Sequence, residues 1–363
     1  MTAASWPGLE LADRLIKHFQ AYTEDTALWS ELWLVVFRYQ AAYNPVYRRY
    51  VQRLGVEPAG VRDWRGVPFV PGTLFKTHWV GAFPQEQAQA VFYSSGTQRG
   101  LAGRSVHPFF RLELYRSAAL SHFQRWVLPD RDRIRMLLLG PSARHRPESS
   151  LGQMLDWLME AFAVPESLHA WTADGPDFEG ATRWLAGADA SSAPVLIFGT
   201  AMALYEWLLW METRGFRPKP LPSGSRLVET GGFKGRRVAV TKEELYTRLS
   251  QTLGIPEAFI IAEYGMTELG SQFYDATLRA TLEGRSTHRH LVGPPWVHVA
   301  VWDPETWRPV EPPATGPLAF IDPANLDSLA FIVTEDVGTV DSAGLTLLGR
   351  LPEAEPRGCS LLA

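Results

Sequence analysis

Four short stretches carry side chains whose types and spacing suit chemistry on a nucleotide. Glu263-Tyr264-Gly265-Met266-Thr267-Glu268 places an aromatic ring, a hydroxyl and a carboxylate close together, directly after an apolar run at Phe259–Glu263. Loops at the carboxyl ends of parallel strands are where α/β proteins bind ligands. Those three types suit stacking on a base, donating to a phosphate and holding Mg2+. The competing reading is a polar strand-to-helix turn with a core tyrosine. In Tyr93-Ser94-Ser95-Gly96-Thr97-Gln98-Arg99-Gly100, small residues let successive backbone N–H groups converge, and hydroxyls add donors, as phosphate oxygens require. It is not a Walker loop, since no Gly-Lys-Ser/Thr follows, and such a stretch also serves as a plain connector.

The paired glycines of Glu229-Thr230-Gly231-Gly232-Phe233-Lys234-Gly235-Arg236 permit close approach of backbone to a flat ligand, or form a tight turn. In Thr334-Glu335-Asp336-Val337-Gly338, followed by Gly349-Arg350, a carboxylate can accept from both hydroxyls of a ribose. Taken alone, Glu335 and Asp336 read as solvated turn residues. The single cysteine, Cys359, excludes an internal disulfide. A lone cysteine is usually inert and buried, but a terminal stretch is usually mobile, and a mobile thiol can reach an acyl donor.

Elements that would position these stretches follow from periodicity. Residues 1–65 read as mostly helical, with Leu11, Leu15, Phe19 and Leu28, Leu32, Val36 at helical spacing. Asn44-Pro45 and Gly66–Gly72 are breaks. Strands are expected at 90–93, 134–139, 195–198, 238–240 and 259–263, and helices at 107–123, 151–162, 202–211 and 242–253. That alternation argues for parallel α/β layers. From about residue 290 the texture changes to short strands at 297–301, 317–321, 328–333 and 346–348, which reads as a small β-rich subdomain. The expected division is a catalytic domain over 1–350, with the β-rich part at about 290–350, and a tail at 351–363 carrying Cys359.

Composition narrows the class. With 46% hydrophobic and 20% charged residues the chain can build a core, so disorder is not expected. A net charge of -4 gives no basic surplus for nucleic acid. No signal peptide or apolar stretch long enough for a transmembrane segment is visible, and a cytoplasmic location is expected.

In this order, from Ser94 to Arg350, the four stretches resemble the adenylate-forming superfamily of acyl-CoA synthetases, phenylacetate-CoA ligases and luciferase-like ligases. A closer similarity is to bacterial bioluminescence-type acyl-protein synthetases. It is carried by Glu229–Arg236, by Tyr264-Gly265-Met266-Thr267-Glu268-Leu269-Gly270-Ser271-Gln272-Phe273-Tyr274, by Arg357-Gly358-Cys359-Ser360-Leu361 and by Phe75-Lys76. The resemblance implies an α/β fold, the large N-terminal-type domain of adenylate-forming enzymes. With 13 residues after Arg350, the usual mobile C-terminal domain is expected to be absent.

The same resemblance implies roles. Ser94, Ser95, Gly96, Thr97 and Gly100 would hold the β- and γ-phosphates of ATP. Gly231 and Gly232 would border the adenine, with Tyr264 stacked on the base, and Gly265 would belong to the same cofactor-binding set. Thr267 would meet the α-phosphate and Glu268 would bind Mg2+. Asp336 would take the ribose hydroxyls, with Arg350 near the ribose or at the hinge. Gln98 departs from the family's loop, where threonine is common. Lys76 and Lys234 are candidates to replace the catalytic lysine of the absent domain, or are plain surface lysines.

Cys359 would carry the acyl group as a thioester. The implied activity is ATP-dependent conversion of a carboxylic acid, of the fatty type, to acyl-AMP and then to that thioester. A partner acyl reductase with a cysteine acceptor, in an oligomeric complex, would receive it. The alternatives are a phenylacetate-type ligase that uses CoA as the thiol, and a non-catalytic nucleotide-binding subunit.

Overall fold

The computed structural model describes residues 6–94, 103–188, 193–232 and 240–351. They form two compact units. The described residues of the first lie within 1–122, 266–273 and 292–355, and those of the second within 123–265 and 274–291.

The second unit is built on parallel strands. Arg135–Leu139, Val195–Thr200, Arg226–Thr230 and Ile260–Tyr264 pair side by side in that order, with Leu168–His169 flanking Arg135–Leu139. Every residue of Val195–Thr200 is buried, as expected of a strand covered on both faces. Helices Ser150–Phe162, Phe178–Ala186, Ala201–Thr213 and Lys242–Leu253 alternate with the strands. Lys242–Leu253 starts on a capping box, in which the Thr241 and Glu244 side chains each bond the other's backbone, and ends at left-handed Gly254. The core joins Leu137, Leu139, Ile197, Trp207, Leu227 and Leu249 among others.

Arg226–Thr230 is a strand that periodicity does not reveal, because it opens on a charge. Arg226 is fully buried. Its guanidinium donates to both carboxylate oxygens of Asp130 (2.7 and 3.0 Å) and to the Val127 carbonyl (2.9 Å). Burial alone would raise the Asp130 pKa. The hydrogen bonds and charges of Arg226 and Arg131 win, and hold that carboxyl well below the usual carboxylate range. The strand expected at 238–240 falls mostly outside the described residues.

The first unit joins N-terminal helices to an antiparallel sheet. Arg308–Val310, His298–Asp303, Ala314–Ile321, Phe331–Val340 and Leu345–Arg350 pair in that order. Val70–Pro71 adds a short parallel pairing, Val70 opposite Ile332. Phe331–Val340 is longer than periodicity suggests. Helices Thr26–Tyr43 and Pro45–Arg53 meet at Asn44, which is fully buried. Its side chain accepts from Val46 N and Tyr47 N, capping the second helix, and donates to the Val80 and Ser328 carbonyls. Gln40 donates to the Asn325 carbonyl (2.8 Å) and accepts from Ala330 N (3.1 Å). Around these amides pack aromatic rings, including Phe37, Tyr47, Phe69 and Phe331.

One expected element differs. The helix read over 107–123 is a strand, Val106–Phe109, followed by the helix Leu112–Val127. Pro108 disfavours helical backbone at His107. The buried Asp327 carboxylate then accepts from Phe110 N and Arg111 N, 2.9 Å each, just before the helix begins. No helix among the described residues is long and apolar enough to cross a membrane.

Candidate active site

In the first unit, the strands Ala90–Tyr93 and Val106–Phe109 form an antiparallel hairpin. Immediately beyond the pairing, Ser94 N donates to the Ser105 carbonyl (3.0 Å) and Ser105 N donates to Ser94 Oγ (2.8 Å). The Arg104 side chain donates to the Ser94 carbonyl and lies over the Tyr93 ring. Ser94 is therefore pinned to Arg104 and Ser105, which follow the small-residue loop in sequence. Ser95, Gly96, Thr97 and Gly100 lie outside the described residues.

The far strand of this hairpin grips the Thr267-Glu268 segment. Ser105 Oγ donates to Glu268 Oε1 at 2.6 Å, and both side chains are buried. His107 Nδ1 lies 2.5 Å from the Thr267 carbonyl, and Nε2 lies 2.8 Å from Ser328 Oγ. Burial pushes the His107 pKa down to about 4, against the opposing pull of the Thr267 carbonyl and the Glu268 charge. The imidazole is therefore neutral at pH 7. A carbonyl only accepts, so Nδ1 carries the proton and Nε2 accepts from Ser328.

From the other side Asn325 Nδ2 donates to the Glu268 carbonyl (2.8 Å), and Asp322 accepts from Gly270 N (2.9 Å) and Ser271 Oγ (2.8 Å). Burial raises Asp322 to about 6, with its hydrogen bonds opposing. Thr267 and Glu268 thus sit on a backbone held at several successive points.

Among the described residues no three His, Cys, Asp or Glu side chains cluster to hold a metal alone. Mg2+ is usually bound by one or two carboxylates together with phosphate oxygens and water, and the buried Glu268 carboxylate is one donor of that type. Glu268 is suited to that part. Its carboxylate is oriented by Ser105, which engages one of its oxygens.

Asp336 and Arg350 face each other across the strands Phe331–Val340 and Leu345–Arg350. Arg350 Nε is 3.0 Å from Asp336 Oδ1, and another guanidinium nitrogen donates to Glu335 at 2.6 Å. The solvated-turn reading is corrected for Asp336, which is only 5% exposed; Glu335 lies in the same strand and is partly exposed. Lys76 lies on the short helix Leu74–Thr77, next to Phe75, whose ring packs edge-on against His107 at 5.2 Å.

In the second unit the strands Arg226–Thr230 and Ile260–Tyr264 end together. Thr230 is opposite Glu263, so Gly231 and Tyr264 are the next residues on each side. Gly231 has φ 79°, a left-handed conformation that favours glycine, and Gly232 has open space where a side chain would project. Tyr264 is half-buried. Behind the turn, buried Glu229 accepts from Lys242 (2.9 Å) and Tyr246 (3.3 Å). Thr230 donates to the buried Glu263 carboxylate.

Burial raises Glu263 to about 7; the Thr230 hydrogen bond opposes this, the Glu229 charge adds to it, and Lys242 opposes it. For a carboxyl raised in the folded state, this contribution to stability is complete below its unfolded pKa of about 4.5 and is lost as pH rises to 7. Glu263→Gln has no such loss. Its thermal midpoint should therefore gain on the parent chain between pH 4.5 and 7 and then level off, an advantage on the order of 3 kcal/mol by pH 8. Equal midpoint profiles for the two proteins would contradict the raised carboxyl.

The first unit thus brings together Ser94, Thr267 and Glu268, and pairs Asp336 with Arg350. The second places Gly231, Gly232 and Tyr264 at adjacent strand ends. Lys234 and Cys359 lie outside the described residues. Sequence reasoning passed over Ser105 and His107, and gave Thr230 no role within its glycine stretch. The alternation of Ser105 and His107 through Val106 was a usable signal, because alternate strand residues share a face.

One protein-family model, described as acyl-protein synthetase, LuxE, matches residues 17–363. A long-chain-fatty-acid–luciferin-component ligase of Vibrio harveyi is 24% identical over 356 residues, covering 93% of this chain and 88% of the relative. The protein of the same name from Aliivibrio fischeri is 23% identical over 360 residues, covering 94% and 89%. Among solved structures, an open form of a 2-hydroxyisobutyryl-CoA ligase in complex with 2-HIB-AMP and CoA superposes with a TM-score of 0.62 at 14% identity. That match covers 89% of this chain and 70% of the ligase, and establishes a shared fold.

Proposed function

Because the chain belongs to the LuxE acyl-protein synthetase family, a family of acyl-activating ligases, we propose that it activates a fatty acid with ATP and carries the acyl group on Cys359. In the first half-reaction a carboxylate oxygen attacks the α-phosphorus of ATP. The bond to the bridging oxygen breaks and pyrophosphate leaves, giving acyl-AMP. In the second, the Cys359 thiolate attacks the acyl carbon, the acyl–phosphate C–O bond breaks, AMP leaves, and the thiol proton passes to solvent. A cysteine of a partner acyl reductase then takes the acyl group by thioester exchange. The names of the two luciferin-component ligases agree with a long-chain fatty acid as substrate.

Each residue has a part in this reading. The small-residue loop from Ser94 to Gly100 holds the terminal phosphates with hydroxyls and backbone N–H groups. Thr267 meets the α-phosphate. Glu268 holds Mg2+, which when bound neutralises charge on the phosphate oxygens. Gly231 and Gly232 border the adenine, Tyr264 stacks on it, Gly265 belongs to the same nucleotide-binding set, and Asp336 takes the ribose hydroxyls. Lys76 and Lys234 are the candidates for a cation near the developing charge.

The carrying observation is the hydrogen-bonded connection from Ser94 through Ser105 to Glu268. It couples the stem of a phosphate-type loop to the carboxylate suited to a metal. Carboxylate-dependent exchange of labelled pyrophosphate into ATP by the purified chain tests the reading. Exchange that needs a fatty acid supports it, and its absence across a panel of carboxylic acids rejects it. Release of acyl-CoA on adding CoA, without labelling of the protein, would favour the CoA-ligase alternative.

A further inference from the structure

The last contact between the strands Arg226–Thr230 and Ile260–Tyr264, before both leave the sheet, is between side chains. Thr230 and Glu263 are paired in register, and residues in register on neighbouring strands project to the same face. The Thr230 hydroxyl donates to the Glu263 carboxylate, and both side chains are buried. One residue further, one strand becomes the left-handed Gly231 turn and the other presents Tyr264.

A buried carboxyl is a poor choice for packing alone. Desolvating it is unfavourable, and a well-packed apolar pair would hold two strands as well or better. Nor is Glu263 needed to accept from Lys242 or Tyr246, since both bond to Glu229. What Glu263 does provide is a directional tie between the residues that precede the two turns. On the reading given above, those turns border the adenine and stack on it.

We propose that Thr230 and Glu263 are positioning residues, whose mutual hydrogen bond fixes the spacing between the Gly231-Gly232 turn and the Tyr264 ring and so sets the affinity for an adenine nucleotide. The inference rests on the nucleotide reading. It predicts that the bond matters and the charge does not, because an amide oxygen at position 263 can accept from Thr230 as a carboxylate does.

The test is calorimetric titration of the full-length chain with AMP, using Thr230→Val, Glu263→Leu, the double variant and Glu263→Gln. Loss of one hydrogen bond predicts about tenfold weaker AMP binding in each of the first two. The double variant should be no weaker than either single one, since both remove the same bond. Glu263→Gln should stay within about threefold of the parent chain. In pyrophosphate exchange, Thr230→Val should raise KM for ATP and leave the maximal rate near its original value, a split that general destabilisation does not produce. Thr230→Val keeps the side-chain shape and carries the test should Glu263→Leu fail to fold. Unchanged AMP affinity in Thr230→Val, additive losses in the double variant, or a Glu263→Gln as weak as Glu263→Leu each overturn the proposal. If the parent chain binds no AMP, the nucleotide reading fails and the positioning role fails with it. If the parent binds and Thr230→Val binds equally, only the positioning role fails.

Discussion

Cys359→Ser should keep acid-dependent pyrophosphate exchange and lose covalent labelling by radiolabelled fatty acid. The two half-reactions draw on different groups, and only the second uses the thiol. Serine preserves size but replaces a group of pKa about 8.5 with a hydroxyl that stays protonated at neutral pH. A mixed anhydride with AMP is reactive enough for a modest thiolate fraction to suffice. Without that acceptor, acyl-AMP can only be hydrolysed or released. Gel-resolved label that is sensitive to hydroxylamine reports the thioester, and its persistence at the parent level in the serine variant would remove Cys359 from the mechanism.

Glu268→Gln should reduce exchange by roughly 10²–10³, the range found when a single electrostatic contact to developing charge is removed. Glutamine still accepts from Ser105 and keeps the shape of the site, so the loss isolates the charge. Ser105→Ala removes the orienting hydroxyl instead and should cost about tenfold, with the remaining effect in the Mg2+ concentration needed for half-maximal exchange. Direct titration with Mn2+ in the presence of AMP-PNP reads the same ranking without turnover. Equal exchange rates in Glu268→Gln and the parent chain would show that this carboxylate has no part in charge stabilisation.

Part of the fold could be read before any coordinates. The Tyr-Gly-Met-Thr-Glu run was legible as the segment that leaves an apolar strand. The apolar runs that became Val195–Thr200 and Ile260–Tyr264 were legible because a strand buried on both faces has almost no freedom in residue type. What failed to show were elements whose residues are defined by distant partners. Arg226 looks like a surface cation until Asp130 is beside it. His107 looks like the start of a helix until Thr267 and Ser328 take up both ring nitrogens. Asp336 reads as a turn residue until Arg350 lies across from it. In each case the decisive contact is polar, so hydrophobic periodicity carries no trace of it.

The amides on the first helices have a further consequence for how the chain is made. Gln40 bonds to the backbone of Asn325, 285 residues away, and Ala330 bonds back to it across 290. A ribosome adding 5–20 residues per second needs roughly 15–60 s to supply those partners. Until then Gln40 lacks both of these backbone partners and Asn44, already bonded to Val46, Tyr47 and Val80, lacks the Ser328 carbonyl, whereas the strands within 135–264 are all synthesised before Asn325. The early helices are therefore the part most dependent on chaperone protection, and nascent chains arrested short of Asn325 should be cleaved within Thr26–Tyr43 by protease well before they are cleaved within Val195–Thr200. The opposite order of cleavage would show that the helices close without their distant partners.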